Sequence, residues 1–226
     1  MTPIRRVWVT RAEPVASRTA DRLKAAGFEP VVAPLLAIRA LPQREPDLTG
    51  ISALAFTSRN GVEAFAALTR DRALPVFAVG DATAEAARIA GYADVRSAAG
   101  ALADLAGLLI DLGPRSGPLL IPGAREPAGD LPALLAGRME ARALAVYEAV
   151  ETGAPPPEAF DAVLIHSARG ARALAARGPF AGQLAVALSA AAAEPLGHRS
   201  GLEIRVAPTP DEAALLQTLG KPTPRV

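Results

Sequence analysis

The chain contains no cysteine. That excludes a disulfide framework, thiolate catalysis and a cysteine-ligated zinc site. Histidine occurs only at His166 and His198, too seldom for a histidine-rich metal centre. Lysine occurs only at Lys24 and Lys221, so nearly all basic residues are arginine. No uncharged apolar run approaches the ~20 residues of a membrane span. The opening Met-Thr-Pro-Ile-Arg-Arg lacks the apolar stretch of a secretory signal and runs straight into Val7-Trp8-Val9. A soluble cytosolic protein with no membrane partner is expected. Formal net charge is +1, so no global field draws in nucleic acid. Neither G-x-x-x-x-G-K-[ST] nor G-x-G-x-x-G occurs, and nucleotide binding has no positive support.

What is present is an apolar chain: 226 residues, 50% of them hydrophobic. That suffices for one large core or two small ones. The apolar blocks repeat along the chain. Residues 7–14 (VWVTRAEP) correspond to 119–127 (LLIPGAREP), 51–68 to 160–177, and 75–109 to 183–219. Arg11 and Arg125 lie 114 residues apart; Ser58 and Ser167, like Gly80 and Ser189, lie 109 apart. Matching order at a nearly constant shift reads as a duplication. Each copy runs strand, helix, strand, then strand, helix, strand, helix. Ala53–Phe56, Val76–Val79, Ala162–Ile165 and Leu184–Leu188 are apolar without alternation, which suits strands covered on both faces. Helices of about 10–12 residues, often closed by glycine as at Gly27, Gly91 and Gly137, lie between them. This alternation predicts an α/β protein with parallel sheets and helices on both faces. Extended segments followed by prolines divide it. Residues 35–44 and 141–150 read as linker strands and 45–140 as one continuous domain. Residues 1–34 and 151–226 then form a second domain from both ends of the chain.

Ligands of open parallel sheets bind beyond the carboxyl ends of the strands. Those positions here are Thr10-Arg11, Thr57-Ser58-Arg59-Asn60-Gly61, Gly80-Asp81-Ala82-Thr83, Pro122-Gly123-Ala124-Arg125 and His166-Ser167-Ala168-Arg169-Gly170. Each is small or polar and opens a helix, whose first N–H groups attract carboxylates and phosphates. Several such turns would suit a polyanion. Arginine recurs at Arg11, Arg59, Arg125 and Arg169, against the helix dipole. Either an anionic partner meets these side chains or they reach into water. Ser58 and Thr83 can cap helices, contact a ligand, or both. His166 precedes Ser167, but no G-x-S-x-G elbow surrounds the pair and no acid completes a triad. His198, before Gly201, reads as a surface residue. Tyr147 is one of only two tyrosines and lies in the second linker. Its phenol could donate to a departing hydroxyl, or its ring could simply pack.

Taken in order, Thr10-Arg11, Phe56–Val62, Ala78–Ala84, Val146–Glu148, Ser167–Gly170 and Pro208–Ala213 resemble the uroporphyrinogen-III synthase family over nearly the whole chain. The resemblance implies two flavodoxin-like parallel-sheet domains joined by a two-stranded β linker, the first domain discontinuous. It implies a cofactor-free and metal-free lyase acting as a monomer. The substrate would be hydroxymethylbilane, a linear tetrapyrrole with eight carboxylates. Water is lost to give an azafulvene, ring D inverts through a spiro intermediate, and the ring closes. Tyr147 takes the position of the tyrosine that assists hydroxyl departure. Thr10, Arg11, Ser58, Arg59, Asn60, Gly80, Thr83, Arg125, Ser167 and Ala168 are the expected substrate-binding residues. Orientation of a flexible substrate by two hinged lobes would supply much of the catalysis. One departure stands out. The second copy lacks the threonine of the A-V-G-x-x-T-A loop and reads Leu188-Ser189-Ala190-Ala191-Ala192-Ala193. An anion-binding or sensor module without turnover is therefore the alternative.

Overall fold

The structure, a computed structural model, describes residues 4–114, 116–197 and 200–222. Its elements in chain order are β1 (Arg6–Val9), α1 (Val15–Ala25), β2 (Glu29–Val32), β3 (Leu36–Ala40), β4 (Ala53–Phe56), α2 (Arg59–Leu68), β5 (Val76–Ala78) and α3 (Asp81–Ile89). There follow β6 (Val95–Ser97), α4 (Leu102–Leu112), β7 (Leu119–Ala124), α5 (Leu131–Leu135), β8 (Ala141–Glu151), β9 (Ala162–Ile165) and α6 (Ala168–Ala175). The last are β10 (Leu184–Ala187), α7 (Ala190–Ala193), a 3-10 turn (Glu194–Leu196), β11 (Glu203–Val206) and α8 (Glu212–Thr218).

The glycines expected to end helices do so by a specific geometry. Gly27 and Gly91 have φ of 88° and 99°, a region closed to most side chains. At each, the next residue reaches back to close the helix: Phe28 N–H donates to Leu23 O, and Tyr92 N–H to Ala87 O. Expected helix lengths hold for α1, α2 and α4 but not for α5, α7 or α8. At α7 the cause is Pro195, which lacks an N–H and crowds the preceding turn, so the helix tightens into a 3-10 turn after four residues.

The residues divide into two compact units, Met1–Ala37 with Val150–Val226, and Ile38–Ala149. In the first unit the sheet order is β11-β10-β9-β1-β2; in the second it is β3-β8-β7-β4-β5-β6. Without β3 the two orders are the same under the repeat seen in sequence. The pairings from β2 to β11 and from β8 to β6 are parallel. Val79 and Leu188, 109 residues apart, each add one bond past their strands, to Phe56 O and Ile165 O. In the structure β8 runs beside β7 from Ala141 opposite Leu119 to Tyr147 opposite Ala124, with a register shift at Gly123 and Ala124.

Successive strand residues point to opposite faces, and here both faces are covered. In the first unit Val7, Val9, Leu164 and Val186 pack with Leu23 and Leu215. On the other face Trp8, Val163, Ile165 and Ala185 pack with Ala171 and Leu174. In the second unit Leu54, Phe56 and Val76 meet Val62, Phe65 and Ala87. Ala53, Ala55 and Phe77 meet Leu105, Leu109 and Leu131. Burial on both faces explains why these strands show no alternation.

Candidate functional site

The second unit brings Tyr147 and Ser58 together. β8 pairs with β7, and β7 with β4, so the far end of β8 lies over the turn that follows β4. There the Tyr147 hydroxyl and Ser58 Oγ share a hydrogen bond of 2.9 Å. Ser58 also caps α2, accepting from Gly61 N–H at 3.1 Å. Tyr147 is 8% exposed and packs in the core that contains Phe56 and Val62. Gly61 is required by close approach: a Cβ there would stand 2.8 Å from Pro122 O. Arg59 and Asn60 open α2, half-buried. Gly80 caps α3, accepting from Thr83 N–H at 3.0 Å through its carbonyl, and Thr83 is buried at 6% exposure.

Arg125 joins this group through its backbone, donating to Tyr147 O at 2.8 Å. Its guanidinium pairs with Glu148 at 2.5 Å. Glu148 is also held by Arg39, whose Nε donates at 2.9 Å. The carboxylate is 12% exposed, while the two arginines are more than half exposed. Neither Arg39 nor Glu148 stood out as a site residue in sequence.

The first unit carries the other candidates at the ends of β1 and β9. Thr10 is buried, and its hydroxyl donates to Leu164 O at 2.7 Å, tying those two strands where their ladder ends. Ser167 caps α6 in the geometry that Ser58 uses for α2. Its φ and ψ are −160° and 156°, against −159° and 155° at Ser58. It accepts from Gly170 N–H at 3.1 Å, and Ala168 is the first helical residue. Ala192 occupies the repeat position of Thr83; its N–H donates to Ser189 Oγ at 3.2 Å.

Arg11 is engaged with Glu212 at 2.8 Å. Thr19 donates to the other oxygen of Glu212 at 2.5 Å. His166 Nε2 lies 3.6 Å from the carboxylate, beyond hydrogen-bond range. Its two ring nitrogens are buried without a partner among the described residues. Burial pushes the His166 imidazole below its ordinary pKa of 6.5; Glu212 opposes that shift and Arg11 adds to it. Burial disfavours charge on Glu212. The adjoining His166, the Thr19 hydroxyl and the Arg11 guanidinium outweigh it, and the pKa falls to about 2. Sequence reading did not find Glu212 or Thr19, which come to Arg11 from α8 and α1. Glu212 did sit within the Pro208–Ala213 motif, a local signal with nothing to say whom it meets. His198 lies outside the described residues.

In each unit these turns present helix N-termini, hydroxyls and arginines at strand ends, a chemistry suited to carboxylates and phosphates. The family model for uroporphyrinogen-III synthase HemD matches residues 17–217. No curated relative matches the chain. The fold is similar to the crystal structure of uroporphyrinogen-III synthetase from Helicobacter pylori 26695, with a TM-score of 0.67, 18% identity, and 96% of this chain and 98% of that one covered. It is also similar to that of a mutant uroporphyrinogen III synthase from the extremely thermophilic bacterium Thermus thermophilus, with a TM-score of 0.53, 18% identity, and 96% and 97% covered. With a model spanning nearly its whole length, the chain belongs to the uroporphyrinogen-III synthase HemD family, a family of cyclising lyases of tetrapyrrole biosynthesis.

Proposed function

We propose that this chain is a uroporphyrinogen-III synthase that closes hydroxymethylbilane with loss of water and inversion of ring D. The observation that carries the site assignment is the hydrogen bond between Tyr147 and Ser58. Gly61 N–H donates to Ser58 Oγ. If the Ser58 hydroxyl in turn donates to the tyrosine oxygen, the phenol hydrogen points onward to substrate. Aligned donors polarise one another, which strengthens Tyr147 as a donor. It would pass its proton to the substrate hydroxyl as the C–O bond breaks, so that the hydroxyl leaves as water. The adjoining pyrrole then gives its N–H proton back to the tyrosine oxygen, and the azafulvene remains. Ring D inverts through the spiro intermediate before closure.

Carboxylate binding falls to the turns. In this reading Ser58, Arg59, Asn60, Gly80, Thr83 and Arg125 serve in one unit, and Thr10, Arg11, Ser167 and Ala168 in the other. The Thr10 and Ser58 hydroxyls act mainly by holding their turns in shape; backbone N–H groups and arginines make the grip. No metal or cofactor takes part. Two flavodoxin-like domains joined by β3 and β8 as a two-stranded linker, a monomeric state and a cytoplasmic location belong to the same proposal.

Incubation with freshly generated hydroxymethylbilane, followed by separation of isomers, is the test. The type III isomer in excess is expected. Only the type I isomer, at the spontaneous rate, would leave an anion-binding module without turnover. That alternative draws on Ala192, which offers no hydroxyl where Thr83 offers one.

A further inference from the structure

We propose that Glu148 is a positioning residue for Tyr147: drawn between arginines from the strands on either side, it fixes the end of β8 from which the tyrosine reaches Ser58. This rests on the synthase reading above and deepens it.

The register shows why the strand end needs fixing. Gly123 on β7 lies opposite Ala145, but the next residue, Ala124, lies opposite Tyr147. Val146 is therefore one residue too many on β8, a bulge. A bulge interrupts the ladder, bends its strand and re-aims the side chain that follows. Here the consecutive residues Val146 and Tyr147 both pack into one core, where a regular strand sends neighbours to opposite faces. Backbone bonds flank the bulge: Leu41 N–H donates to Val146 O at 2.9 Å, and Arg125 N–H to Tyr147 O at 2.8 Å. The register between β7 and β8 ends at Tyr147.

Glu148 comes next. β8 lies between β3 and β7, and the carboxylate meets a cation from each side. Arg39 of β3 donates from Nε to Oε1 at 2.9 Å. Arg125, just past β7, donates from Nη1 to Oε2 at 2.5 Å. Both arginines are more than half exposed, and ion pairs of exposed side chains add little stability. What they add is place. With its two oxygens engaged from opposite sides, a slide of the strand end toward either neighbour lengthens a charge-assisted bond. A slip of one residue along the ladder turns a side chain to the other face. A drift of about 0.7 Å already takes the 2.9 Å bond between Tyr147 and Ser58 out of range.

The test uses the full chain carrying Glu148→Gln, Tyr147→Phe and both together. The glutamine keeps the size of the side chain and removes its charge. On hydroxymethylbilane, Glu148→Gln is expected to lower kcat about 5-fold with KM changed less than twofold, since only the placement of the donor suffers. In the Tyr147→Phe background the same substitution should lower kcat no further. An unaltered kcat, or an equal fall with and without the tyrosine hydroxyl, overturns the proposal. A second readout needs no turnover. The chain has two tyrosines, so protein labelled with carbon-13 at tyrosine Cζ gives two NMR signals, assigned by Tyr147→Phe. Glu148→Gln should shift or broaden the Tyr147 signal and leave that of Tyr92 in place. An unmoved Tyr147 signal, or equal movement of both, overturns the idea. Should Glu148→Gln fold poorly, Arg39→Gln removes one restraint on the carboxylate. It should lower kcat about twofold and move the same signal, and an equal fall in kcat without the tyrosine hydroxyl overturns the idea. Wild-type protein that forms no type III isomer, yet shows the selective movement of the Tyr147 signal in Glu148→Gln, would refute the synthase reading and leave the positioning role standing.

Discussion

Tyr147 and Ser58 are 89 residues apart in the chain and 2.9 Å apart in the fold. Each was visible in sequence as a candidate; their contact was not, because it depends on β7 lying between β8 and β4. Tyr147→Phe keeps the ring in its core and removes the donor. It is expected to lower kcat by about 10- to 100-fold with little change in KM, while stability drops by about 1 kcal/mol for the lost bond. Isomer-resolved kinetics and chemical denaturation check the two parts; an unchanged kcat would remove Tyr147 from the chemistry. His166 makes a separate prediction. Its folded pKa lies below 6.5, so the unfolded chain takes up a proton more readily than the folded one. Stability is therefore full above pH 6.5 and declines as pH falls below it. Calorimetric scans should show Tm falling between pH 7.5 and 5.5, and falling less in His166→Phe. Glu212 acts lower on the scale. Its contribution is present above its ordinary 4.5 and lost as pH approaches about 2.

At the level of elements, the duplication yields a paired experiment. Gly61 and Gly170 stand at the same point of α2 and α6, each giving its N–H to a capping serine. Alanine favours a helix over glycine by about 1 kcal/mol. At Gly170 an added Cβ meets only Ser167 Oγ at 3.5 Å, so Gly170→Ala should be neutral or raise Tm. At Gly61 it meets the Pro122 carbonyl at 2.8 Å, a backbone atom of β7. Gly61→Ala should lower stability by about 1–3 kcal/mol and weaken catalysis by shifting the turn that carries Ser58. Denaturation of both variants decides; equal effects would mean that the repeat is closer in packing than the structure has it. The Schellman closures at Gly27 and Gly91 were readable from sequence because they are local. The shortness of α5 was not, since nothing nearby announces it beyond Gly137.

At the scale of the molecule, the unit Ile38–Ala149 has a continuous chain and cores on both faces of its own sheet. Expressed alone, it should unfold cooperatively in urea. Residues 1–37 alone should not fold, because β1 needs β9 as well as β2 beside it. Residual helicity without a cooperative transition in 38–149 would show that its cores do not suffice. Among the described residues, no helix is long and apolar enough to cross a membrane.

Periodicity and turn chemistry are properties of neighbouring residues, so the α/β class, the repeat, the cap at Ser58 and the positions of the helix-opening turns were legible along the chain, whereas the cap of α3 fell to Gly80 and not to Thr83. The order of motifs also pointed to the family. Which strands lie side by side, which hydroxyl meets Tyr147 and which carboxylate holds Arg11 were decided only by tertiary structure. Those contacts join residues 89 and 201 positions apart, and no local preference encodes them. They exist because the strand order sets β7 between β4 and β8 and because covering the first unit's sheet packs α1 and α8 against the same strands.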